Sequence, residues 1–132
     1  MVHTRAMAGA TFLKIKIQIM CGSEIAMGPG KADLLEAIAR NGSISAAARA
    51  IGMSYRRAWL LVDTMNRCWE QPLIATMADG GARGGAKVTD FGNEVLGRFR
   101  NLQKQALLLG RGADWHDLEQ NLRQAPLDRQ II

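Results

Sequence analysis

Two adjacent guanidinium groups, Arg56 and Arg57, stand in the run Met-Ser-Tyr-Arg-Arg-Ala-Trp at residues 53–59. Ser54 ahead of them has the side chain of a helix N-cap, and the apolar residues behind them recur with the spacing of a buried helix face. Two cations therefore fall in a first helical turn, where the backbone dipole disfavours positive charge. An anion from outside the chain has to compensate them. Guanidinium suits that role, because its planar fork bridges the O6 and N7 acceptors of guanine or clamps a phosphate with two hydrogen bonds. Ser43 and Ser54, each at the start of a helix, offer hydroxyl and amide hydrogens to phosphate, contacts that position a protein on DNA without reading sequence. Arg83, inside the glycine-rich run of residues 79–86, and Lys87 at its exit add cations on a flexible tip. The candidate DNA-binding residues are Ser43, Ser54, Tyr55, Arg56, Arg57, Arg83 and Lys87.

Catalysis finds no comparable set of residues. The run Gly-Ala-Arg-Gly-Gly-Ala-Lys at 81–87 imitates a phosphate-cradling loop, but Ala86 stands where the second glycine is required and Val88 where a hydroxyl must follow the lysine. A dinucleotide fingerprint fails as well, since Arg83 occupies the place of its second glycine. No serine, histidine and acid form a set, and no carboxylate pair has a reason to sit together. His3 and His116 are isolated, and Cys21 and Cys68 lie far apart in sequence without a ligand spacing, so no metal and no cofactor is expected and both thiols should be free. The chain is read as a non-enzyme.

The 17 Lys and Arg residues outnumber the 12 Asp and Glu, giving a formal net charge of +5 over 132 residues. That balance fits an anionic partner, although a merely basic protein has it too. No stretch approaches the roughly 18 uninterrupted apolar residues that cross a bilayer, and lysines interrupt the only imitation of a signal peptide. A cytoplasmic protein without a membrane partner is expected.

Several elements must position the cations. Leu13, Ile15, Ile17 and Ile19 alternate with Lys14, Lys16 and Gln18, a period of two that predicts a half-buried strand over 13–19. Residues 21–30 read as a loop. A first helix is predicted over 31–40, with Leu34, Leu35 and Ile38 on one face and a stop at Asn41 and Gly42. Ser43 caps a second helix, which Gly52 ends after about two turns, and Ser54 caps a third. Along the third, Tyr55, Ala58, Leu61, Val62, Met65 and Trp69 form the inward stripe, and Trp59 is read as core. Two short strands flank the glycine-rich loop, and Thr89 caps a long helix from Asp90 to about Leu109, whose apolar seam is core or a dimer contact. Residues 114–122 read as a short amphipathic helix, followed by a loose end.

The second and third helices with their glycine turn make a helix-turn-helix, whose second helix presents its N-terminal side chains to the major groove. The glycine-rich hairpin then serves as a wing along the flanking backbone or minor groove, or is simply a mobile hairpin. The fold class is mainly α with a small β hairpin: a winged helix-turn-helix in the order β-α-α-α-β-β-α with a long C-terminal dimerisation helix. Residues 1–109 form this domain and residues 110–132 a tail.

Lys-Ile-Lys-Ile-Gln-Ile at 14–19, the run Gly-Ser-Ile-Ser-Ala-Ala-Ala-Arg-Ala-Ile-Gly-Met-Ser-Tyr at 42–55 followed by Ala58 and Trp59, Met65 with Asn66, and the double-glycine wing together resemble a known family. It is the N-terminal DNA-binding domain of ModE-type molybdate-responsive transcription regulators, and more distantly the LysR-type winged helix. The resemblance covers about residues 13–109. It implies a homodimer joined through the first strand region and the long helix, binding palindromic double-stranded DNA near genes of molybdenum transport or molybdoenzymes. It places Ser54 to Arg57 on the recognition helix and Arg83 to Lys87 on the wing. Full-length members carry molybdate-binding modules after the final helix, whereas 132 − 109 leaves 23 residues here. A module of roughly 65–70 residues does not fit in that length, so molybdate binding by this chain is not expected. The competing reading is a winged-helix adaptor that turns its basic face to an acidic protein.

Overall fold

A computed structural model describes residues 11–77 and 84–131. Residues 16–103 form one compact body, and the two ends of the chain contribute to another. In chain order the elements are β1 (Ile19–Cys21), β2 (Glu24–Met27), α1 (Pro29–Asn41), α2 (Ile44–Ala50), α3 (Tyr55–Cys68), β3 (Ile74–Thr76), β4 (Ala86–Val88) and α4 (Asp90–Leu107), then a 3-10 turn (Leu108–Arg111) and α5 (Ala113–Gln120). The molecule is a winged helix. Relative to the predicted order it has one more strand at the start, and the short helix expected over 114–122 is α5.

The predicted first strand is largely absent from the described chain. Only Ile19 of residues 13–19 lies in a strand, and that strand turns at Gly22, φ +58°, to pair antiparallel with β2 across the stretch expected to be loop. An alternating pattern makes a strand only where backbone partners exist, and within this chain β2 reaches no further than Ile19. Ile17 and Ile19 still pack on the core, whereas Leu13 and Ile15 are exposed. The first helix starts two residues earlier than predicted, because Pro29 takes the N1 position where its missing N–H costs nothing.

α1 is the centre of the body around 16–103. Its Leu34, Leu35 and Ile38 are fully buried against Met27, Val62, Met65, Leu73 and Phe99. Burying each such side chain contributes roughly 1.5–3 kcal/mol. Arg100 ties α4 to α1: its Nε and Nη2 donate to the two oxygens of Glu36 at 3.1 and 2.7 Å, and Nη2 also reaches Asp33 at 2.8 Å. Those hydrogen bonds hold the Glu36 carboxyl below its ordinary value. Gly92 lets α4 approach β3, since a Cβ there would collide with the Leu73 carbonyl oxygen.

In the other body, α5 leaves Leu118 exposed, and Thr11 Oγ1 donates to Glu119 Oε2 at 3.1 Å. No described helix is long and apolar enough to cross a membrane.

Candidate nucleic-acid interface

The helix-turn-helix is built by local caps. Ser43 Oγ accepts from the Ala46 amide at 3.1 Å and Ser54 Oγ from the Arg57 amide at 3.1 Å, so each hydroxyl satisfies an orphan donor of the helix it begins. Between the helices Gly52 sits at φ +70° with no atom near the position of a missing Cβ. Its requirement for glycine is the left-handed backbone and not a steric squeeze. Ala48 and Ala58 are both buried, and these two short side chains allow α2 and α3 to lie close.

The inward stripe of α3 is narrower than its spacing implied. Ala58, Val62 and Met65 are buried, and Leu61 and Trp69 pack partly on the core. Trp59, expected inside, is instead 39% exposed; Tyr55, placed both on the inward stripe and among the candidate DNA-binding residues, is 55% exposed, and the two rings meet edge to face at 6.3 Å. The stripe is covered only from Ala58 onward, so the first turn of α3 stands clear of the core. Leu60 beside them is exposed as well. Their four-residue spacing, which puts two side chains on one helix face, was the available signal.

Arg56 and Arg57 are exposed on that turn, and among the described residues neither has a carboxylate within ion-pair distance. Arg67, at the other end of α3, is different: it pairs with Asp63 at 2.8 Å and Glu24 at 3.2 Å. Lys31, buried on α1, has its pKa lowered chiefly by burial; Arg57 adds to the shift, while Cys68 and Glu24 oppose it.

Asn66 connects α3 to the wing. Its Oδ1 accepts from the Leu73 and Ile74 amides at 2.9 and 3.1 Å, and its Nδ2 donates to the Ile74 carbonyl at 3.0 Å. β3 then pairs with β4, Ala75 opposite Lys87. Ala86 and Val88 point inward and Lys87 outward. The Ala86 amide donates to the Gly42 carbonyl at 2.9 Å, which sets the returning wing strand beside the turn that carries Ser43. Thus Ser54, Tyr55, Arg56 and Arg57 share one exposed turn, while Ser43 and Lys87 share the junction of wing and α2. Arg83 lies outside the described residues. No cluster of three or more metal-ligating side chains occurs among the described residues.

No family model matches the chain. Individual relatives do. The chain is 43% identical over 70 residues to the molybdenum transport protein ModE of Azotobacter vinelandii, covering 53% of this chain and 26% of the relative. It is 43% identical over 77 residues to the molybdenum-pterin-binding protein MopA of Rhodobacter capsulatus, covering 58% and 29%. It is also 32% identical over 90 residues to the DNA-binding transcriptional dual regulator ModE of Escherichia coli K12, covering 68% and 33%. The homologues of this chain are ModE-type and Mop-type molybdenum proteins. The chain spans about a quarter to a third of the length of these curated relatives. By their names those ModE-type and Mop-type relatives are regulators, transport proteins or binding proteins.

Proposed function

We propose that this chain is a DNA-binding transcription regulator of molybdenum transport or metabolism, acting in the cytoplasm without catalysis of its own. α3 enters the major groove with Arg56 and Arg57, which take guanine edges or phosphates, while Tyr55 and Trp59 offer apolar contact to thymine methyls. Ser43, Ser54 and Lys87, with Arg83 on the wing, hold the flanking backbone. The observation that carries this reading is the pair of exposed guanidiniums that meet no carboxylate among the described residues, on the helix that a helix-turn-helix presents to DNA.

A homodimer presents two such helices about one DNA turn apart, roughly 34 Å, and therefore reads a palindrome. The exposed Leu13 and Ile15 of the first segment and Leu102 of α4 support that assembly. Selection of bound sequences from random duplex DNA tests the proposal. Recovery of a palindrome with guanines at symmetry-related positions is the expected result, and recovery of no common sequence would overturn the regulator reading.

A second reading, a winged-helix adaptor for an acidic protein, draws support from the exposed Tyr55, Trp59 and Leu60, because aromatic anchors beside arginines suit a protein interface. Binding to an acidic protein with no affinity for duplex DNA would favour it.

A further inference from the structure

Cys21 ends β1 and Cys68 ends α3, 68 − 21 = 47 positions apart in the chain. The fold brings them together. Cys21 lies opposite Glu24 in the β1–β2 pair, and the Glu24 carboxylate accepts from Arg67 Nη2 at 3.2 Å. On the other side of Cys68, Trp69 Nε1 donates to the Ala26 carbonyl at 3.0 Å. Both sequence neighbours of Cys68 are thus anchored to the strand that pairs with Cys21, which places the two cysteines in one neighbourhood of the fold. Both are free; Cys21 is exposed and Cys68 half-buried.

We propose that Cys21 and Cys68 form a peroxide-reactive dithiol that closes to an intramolecular disulfide, fastening the last residue of the recognition helix to the β1–β2 hairpin. The exposed Cys21 is the attacking group. Its thiolate takes one oxygen of hydrogen peroxide, the O–O bond breaks, and the departing hydroxide gains a proton to become water, leaving a sulfenic acid. The Cys68 thiolate then attacks that sulfur; the S–S bond forms, the S–O bond breaks, and the second oxygen leaves as water. Two thiols are oxidised and one peroxide is reduced to two waters. Half-buried Cys68 is left for the second step: burial, then the neighbouring Cys21 thiol, pushes its pKa up and slows its own reaction with peroxide, while Arg67 opposes the shift. Asp63 and Glu24 hold that guanidinium in place. The inference goes beyond the proposed function and stands whatever α3 binds.

The test treats the reduced chain with hydrogen peroxide and follows intact mass, peptide linkage and migration on a non-reducing gel. The expected product is a single chain lighter by two hydrogen atoms, with Cys21 and Cys68 peptides joined, both thiols lost to alkylation and both recovered with dithiothreitol. Neither Cys21→Ser nor Cys68→Ser should give it, and the melting temperature should rise on oxidation in the wild type alone. Chains cross-linked to one another, a thiol gaining two oxygens, or thiols that stay reduced where free cysteine is oxidised would each overturn the proposal.

Discussion

Helix α3 carries arginines at both ends, in opposite electrostatic circumstances. At its C-terminal end Arg67 is held by Asp63 and Glu24, and Asn66 grips the start of β3 with three hydrogen bonds. At its N-terminal end Arg56 and Arg57 meet no carboxylate among the described residues, and two aromatic rings stand in solvent beside them. One end is satisfied by the chain and holds the fold together. The other leaves its cations without a carboxylate among the described residues, and the proposed function assigns them an external anion. The difference separates the contacts that build the fold from the surface the proposal gives to a partner.

Breaking the Asn66 clamp at the C-terminal end should cost stability. Asn66→Ala leaves two amides and a carbonyl without their partner and should destabilise the chain by about 2–3 kcal/mol, read from urea unfolding. Arg100 sharpens the same side of the comparison through pH. Because hydrogen bonds from Arg100 depress the Glu36 carboxyl, folded Glu36 releases its proton at lower pH than unfolded Glu36 does. The stability it contributes is present above the unfolded pKa and is lost as pH falls through the folded one. Arg100→Met should flatten that acid limb in a series of thermal melts across pH.

At the N-terminal end the expected losses are in binding. Arg56→Ala should weaken a specific duplex by roughly 1–3 kcal/mol and relax base preference, with the melting temperature unchanged, whereas Lys87→Ala should weaken all sequences alike. A titration of specific against random duplex separates the two. The smallest effect belongs to Arg67→Ala. Its pairs are exposed to solvent, so both stability and DNA affinity should stay close to wild type. A loss of affinity as large as that of Arg56→Ala would erase the distinction between the two ends.

What could be read in the sequence was local. Ser43, Ser54 and Thr89 were recognisable as caps because a cap needs only a hydroxyl and the amide three residues on, and each makes that bond. Gly42 and Gly52 were recognisable as stops because their left-handed backbones follow from residue type. What escaped depends on distant partners. The strand over 13–19 needed a neighbour to pair with, and Trp59, with Tyr55 as a member of the inward stripe, was misplaced because a spacing pattern does not say where the covering elements end. The Asn66 clamp, the bonds from Arg100 to α1 and the bonds from Arg67 and Trp69 to β2 are contacts between elements that no short window contains.

The central claim is that Arg56 and Arg57 await a polyanion, and the salt dependence of duplex binding tests it most directly. Affinity of the wild type should fall steeply and linearly on a logarithmic scale as salt rises, and the slope should shrink by about two in the double variant Arg56→Ala, Arg57→Ala. Binding that ignores salt, or a slope the double variant leaves intact, would contradict it.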